Sequence, residues 1–65
     1  MNEIETLIMD MNMEARIAEY DCACRLMRGD IEGARQRAEE ANLFRQAILK
    51  IAERVLMVGS RNTEI

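Results

Sequence analysis

The tripeptide Arg28-Gly29-Asp30 constrains this chain most, because the residues on both sides of it are patterned as helix and it is the only sharp break between them. Gly29 suits the left-handed position that ends a helix, Asp30 suits the N-cap of the next, and Arg28 is favourable at a helix C-terminus. Before the break, Ile4, Leu7, Ile8, Met11, Ala15, Ala18, Cys22 and Leu26 recur at spacings of three and four. That spacing predicts one apolar face of a helix over about residues 3–28. After it, Ile31, Ala34, Ala38, Ala41, Arg45, Ile48, Ala52 and Val55 form a heptad seam with one arginine in it, predicting a second helix over about 31–58. Gly33 weakens the first turn of that helix by about 1 kcal/mol relative to Ala. Gly59-Ser60 is expected to close it, leaving residues 61–65 as a frayed tail.

Folding the chain back at Gly29 pairs positions whose numbers total about 60. Leu26 then faces Ala34, Cys22 faces Ala38, Ala18 faces Ala41, Met11 lies near Ile48, and Ile4 lies near Val55 and Leu56. Small residues meet near the turn and larger ones at the open end. The expected fold is all-α: an antiparallel two-helix hairpin in one domain, residues 1–65. Arg45 is expected beside Asp10 and Glu14, pairing with one of them or snorkelling with its stem over the seam.

Each hairpin helix needs one apolar stripe, and the first helix has two. Met9, Met13, Ile17, Tyr20, Cys24 and Met27 also recur at three and four, about 160° from the first stripe. In the second helix Phe44, Ala47, Ile51 and Val58 widen the seam on one flank, and Leu49 and Leu56 on the other. The candidate partner-binding residues are therefore Met9, Met13, Ile17, Tyr20, Cys24, Met27, Phe44 and Ile51. Large exposed apolar patches mark interaction sites, so the hairpin is expected to be completed by dimerisation into a four-helix bundle or by a partner protein.

Composition narrows the function classes. A chain of 65 residues, 49% hydrophobic and 32% charged, without proline and with Tyr20 and Phe44 as its only aromatic residues, suits an ordered helical unit with an aliphatic core. The formal charge of −3 is uneven. Glu3, Glu5, Asp10, Glu14, Glu19 and Asp21 stand against Arg16 alone in residues 1–24. A dedicated nucleic-acid binder needs a concentrated basic footprint, which is absent. No apolar run approaches the roughly 18 residues of a membrane span, and the N-terminus lacks a signal-peptide pattern, so a cytoplasmic location is expected. Cys22 and Cys24 point about 200° apart on a helix and read as small packing residues; without histidine no metal site is expected.

Catalysis has little to stand on, with no histidine, no glycine-rich phosphate loop and Ser60 the only serine. No enzyme activity and no cofactor or small-molecule substrate are expected. Arg28-Gly29-Asp30 spells an integrin-binding tripeptide but reads as turn chemistry. Thr63-Glu64-Ile65 fits the loose pattern of a PDZ ligand, one that arises often by chance.

Gly29-Asp30-Ile31-Glu32-Gly33-Ala34, followed by Ala38 and Ala41, resembles the turn and second helix of a tetratricopeptide repeat, without a second copy. Over nearly its whole length the chain also resembles the small cytosolic co-chaperones of type III secretion needle subunits, the YscE/PscE family. That likeness is carried by the turn Leu26-Met27-Arg28-Gly29 and the run Ala47-Ile48-Leu49-Lys50-Ile51. The resemblance implies a helical hairpin that, with a tetratricopeptide-like partner, holds an aggregation-prone needle subunit. The functional expectation is a protein-interaction module, self-assembling or acting as a small adaptor or co-chaperone. The alternative is a small regulator: an inhibitor of a nucleic-acid-handling protein, or an RNA-binding dimeric bundle using Arg25, Arg28, Arg35, Arg37 and Arg54.

Overall fold

In the computed structural model, residues 2–63 are described along the backbone and residues 2–57 with their side chains. Glu64 and Ile65, and with them the C-terminal PDZ-like pattern, lie outside the described residues, as does the Val58 side chain. Two helices, α1 (Glu3–Met27) and α2 (Ile31–Thr63), pack antiparallel as a hairpin. The principal extents are 55 × 21 × 12 Å. The smallest of these equals one helix diameter, about 10–12 Å, so the hairpin is a single layer of two helices.

Helix α1 starts where Asn2, in extended backbone, accepts the Glu5 N–H on its side-chain oxygen at 2.8 Å. It ends in a Schellman motif. The Gly29 N–H donates to the Leu26 carbonyl (3.0 Å) and the Asp30 N–H to the Arg25 carbonyl (2.8 Å), with Gly29 at φ +83°. Asp30 then caps α2: its Oδ1 accepts the Gly33 N–H at 3.0 Å, and its carbonyl accepts the Ala34 N–H. One turn thus satisfies the end of one helix and the start of the next, as the sequence predicts.

The expected end of α2 is not observed. The helix runs through Gly59 and Ser60 to Thr63. A glycine within a helix costs about 1 kcal/mol but stops one only by turning the chain, as Gly29 does, and no proline follows to forbid continuation.

Among the described residues, Ala15, Ala18, Ala34 and Ala41 are the buried apolar residues, none more than 6% exposed. With only methyl groups between them, the helices approach closely near the turn. The middle of the α1 stripe lies on the seam as predicted, with Ile8, Met11 and Cys22 half-buried around Ala15 and Ala18, but Ile4 and Leu7 at the open end are about half exposed. Helix α2 is rotated by about 40° from the predicted face. Gly33, Ala34, Arg37, Ala41, Phe44, Ile48 and Ile51 turn inward or to the edge, whereas Ile31 and Ala38 are exposed, as are Leu26 beside them and Val55 at the open end. The rotation trades the Ala38 methyl for the much larger Phe44 and Ile51 side chains, and burial gain grows with apolar area.

Rotation also moves Arg45. It lies level with Ala15, as expected, but on the opposite side from Asp10 and Glu14. Its guanidinium donates to Asn12 Oδ1 and pairs with Glu19 at 2.6 Å.

Candidate interaction surface

The back of α1, facing away from α2, is apolar for most of its length. Met13 is 61% exposed, Tyr20 76% and Met27 87%, with Met9 and Ile17 about half exposed. Cys24 is half-buried among them, and it and Cys22 are both free thiols on opposite sides of the helix. The back of α2 is mixed: Glu32, Gln36, Glu39, Gln46, Lys50 and Glu53 are all exposed there, and Leu43, Leu49, Leu56 and Met57 are exposed among or beside them. Helix α1 is therefore apolar on two opposite faces, while α2 carries a polar back over its first turns and a mixed one from Leu43 onward. In physical terms α1 has the pattern of a central helix and α2 that of an outer one.

The eight residues singled out from sequence do not make one surface. The six on α1 share its back face. Phe44 and Ile51 are half-buried at the edge of the hairpin seam, and Phe44 there lines a shallow depression with Met11, Glu40, Leu43 and Ala47. Leu43 and Met57 are exposed apolar residues that the sequence reading missed. Leu43 directly precedes Phe44 and Met57 stands within the run Val55-Leu56-Met57-Val58, both off the three–four spacing of the seam, so the seam pattern passes over them.

An ionic network closes the rim near the turn. Asp21 Oδ2 accepts from Arg25 (2.8 Å) on its own helix and from Arg37 (2.9 Å) on α2. Arg25 also pairs with Asp30 (2.9 Å), and Arg37 with Glu40 (2.6 Å). The hydrogen bond from Arg25 holds the Asp21 carboxyl below its ordinary 3.8, with the charges of Arg25 and Arg37 adding to it against partial desolvation. The Gly33 N–H, then Arg25, lowers Asp30, and the bond to Asp21, then that to Asp30, raises the Arg25 guanidinium. Asp21 and Arg25 are i, i+4, and positions 21 and 37 match the hairpin pairing rule, so this network was legible in the sequence and went unread.

Arg25, Arg37 and Arg45 are thus each held by a carboxylate. Around the apolar back of α1, Glu3, Glu5, Asp10, Glu14, Arg16 and Arg28 have no ion-pair partner among the described residues. The surface presents a methionine-rich apolar strip with free charges along both edges. Such a strip can bury apolar side chains against another helix, and its flexible thioethers adapt to the partner's shape.

Among the described residues, no group of three histidine, cysteine or acidic side chains is placed to hold a metal ion, and no helix is long and apolar enough to cross a membrane. No family model matches the sequence, and no curated protein or solved structure shows significant similarity to it.

Proposed function

We propose that this chain is a non-enzymatic protein-interaction module that works by burying the back of α1 against another helix, in self-assembly or as a small adaptor or co-chaperone. The observation that carries the reading is the second stripe of α1: Met9, Met13, Ile17, Tyr20, Cys24 and Met27 form an unbroken apolar back, while the exposed Leu43, Leu49, Leu56 and Met57 of α2 are interspersed with charged and amide residues. A freestanding hairpin has no use for the second stripe of α1. Monomers rarely expose contiguous apolar strips of that size.

The driving force is apolar burial. A large side chain fully removed from water contributes about 1.5–3 kcal/mol, so Met13, Ile17, Tyr20 and Met27 together are enough to decide association. The rim charges of α1 then set orientation and partner choice more than strength.

The test is solution mass by light scattering on the chain and on Ile17→Asp. A carboxylate at the centre of a buried face is left desolvated and unpaired. Ile17→Asp should therefore dissociate the wild-type assembly, with helicity checked by circular dichroism. An Ile17→Asp protein that keeps the wild-type mass refutes the assignment of the face.

A further inference from the structure

We propose that the occupant of this face is a second copy of the chain, packed antiparallel, back of α1 against back of α1, about a two-fold axis between Ile17 and Tyr20. The inference rests on the reading of the α1 back as an interface and adds the partner, its direction and its register.

The first argument is area. A compact folded chain of 7.5 kDa exposes about 4,200 Å², whereas this one exposes 5467 Å², an excess of about 1,200 Å². Two copies each covering that excess bury about 2,400 Å², within the range of obligate homodimers. Among the described residues nothing larger than alanine is fully buried inside the hairpin, so a partner present whenever the chain folds would supply burial that the hairpin lacks. A second copy meets that condition by itself.

The second argument is register. With the axis between Ile17 and Tyr20, Met9 lies opposite the partner's Met27, Met13 opposite the partner's Cys24, and Ile17 opposite the partner's Tyr20. All six positions of the stripe are then matched with none left over. An interface that maps onto itself closes at two subunits, as a two-fold contact must. Both α2 helices remain on the outside.

The third argument is charge. The unpaired acids Glu3, Glu5, Asp10 and Glu14 all lie in the first half of α1. Parallel packing would gather both sets at one end; antiparallel packing carries them to opposite ends. Antiparallel packing also brings like edges together. Asp10 and Arg28 share an edge, being five full helical turns apart. The register sets Asp10 within about half a turn of the partner's Arg28. Both are exposed and lack an ion-pair partner among the described residues. The two-fold axis makes the pair twice.

Light scattering and sedimentation across a concentration series should give a dimer for the wild-type chain. Asp10→Arg and Arg28→Asp should each weaken it by about tenfold in Kd, since each replaces two attractions by two repulsions. Combined in one chain they should restore it to within about threefold. Circular dichroism on each variant separates lost pairing from lost folding. Independently, the Met13→Cys/Cys22→Ala variant should oxidise to a covalent dimer, while Cys22→Ala alone, with Cys24 facing the partner's Met13, should not. A folded wild-type monomer at every concentration overturns the proposal. So does a charge swap without recovery, or a covalent dimer from Cys22→Ala alone, which would mark parallel packing. If those tests fail while Ile17→Asp still dissociates the assembly, the α1 face stands and only the antiparallel second copy falls. If Ile17→Asp leaves the mass unchanged, both fall.

Discussion

Replacing Gly33 by alanine sets two effects against each other, and the geometry decides between them. On helix propensity alone the change should stabilise by about 1 kcal/mol. Gly33 is buried, however, and a methyl group there would lie 2.6 Å from Arg25 Nη1 and 2.8 Å from the Asp30 carboxylate carbon. Those atoms are held. Asp30 caps α2 through the Gly33 N–H itself and pairs with Arg25, which is in turn fixed by Asp21. Making room for the methyl group means swinging Asp30 off the cap, and N-cap losses in helices run to about 0.5–2 kcal/mol. The gain and the loss are of similar size, so Gly33→Ala is expected to be neutral to destabilising by about 1 kcal/mol.

The informative comparison is the same substitution in an Asp30→Ala background. There the obstructing carboxylate is gone and Arg25 is released from it, so alanine should recover its propensity gain of about 1 kcal/mol. Thermal or urea unfolding followed by circular dichroism, at one fixed protein concentration because association shifts apparent stability, gives all four corners of the cycle. The predicted coupling is positive and about 1–2 kcal/mol. If Gly33→Ala stabilises both backgrounds equally, the clash with the cap is not what selects glycine here.

Gly29→Ala should destabilise by about 1–2 kcal/mol in the same assay, for a different reason: a methyl group there meets nothing within 4 Å, so the whole cost is the left-handed φ of +83°; an unchanged midpoint would contradict the turn geometry. Ala18→Leu should wedge the helices apart and cost about 1–3 kcal/mol, whereas Ala38→Leu, on the exposed side of α2, should stay within about 0.5 kcal/mol. Equal losses at the two sites would put α2 back in the unrotated orientation. Stability should also fall in acid. Asp21 and Asp30 have carboxyls held below the ordinary 3.8; groups lowered on folding contribute fully above that value, and the contribution is lost as pH drops through the lowered ones. Melting midpoints from pH 7 to pH 2 should therefore drop less for Asp21→Asn than for the wild-type chain, and parallel curves would remove the network from the acid response.

The turn and the α1 face were legible because each rests on a strong local signal. Gly29 and Asp30 have few alternative uses side by side, and an unbroken three–four stripe has one helical solution. The α2 face was harder because its apolar positions span a wide arc, from Ile31 and Ala38 on one side to Phe44 and Ile51 on the other. Periodicity finds the middle of such an arc, but packing finds the part with the most area. That difference moved Phe44 toward the seam, put Ala38 into solvent and carried Arg45 to Asn12 and Glu19. The end of α2 was misplaced for a simpler reason. Glycine permits a helix to stop, and the conformation that stops it depends on what the chain does next. Gly33 was read as a weak helix former, and only the positions of Arg25 and Asp30 show why a side chain is excluded there.

The distribution of side-chain size connects the fold to the proposed role. Alanines at 15, 18, 34 and 41 let the helices touch, which fixes their register but removes little surface from water. The bulky residues that a small domain would normally use to hold itself together, Met9, Met13, Ile17, Tyr20 and Met27, are on the other side of α1. A chain of this size buries only about 60% of its unfolded surface at best, and this one leaves its most valuable apolar area outside. Folding and association then draw on the same surface. On the proposed reading the hairpin defines the shape and spacing of the strip, while a partner covering the strip would supply much of the burial that holds the hairpin. Weakening the interface should therefore loosen α1 as well as separate the chains, whereas weakening the Arg25–Asp21–Arg37 rim should loosen the turn end and leave the strip's register intact.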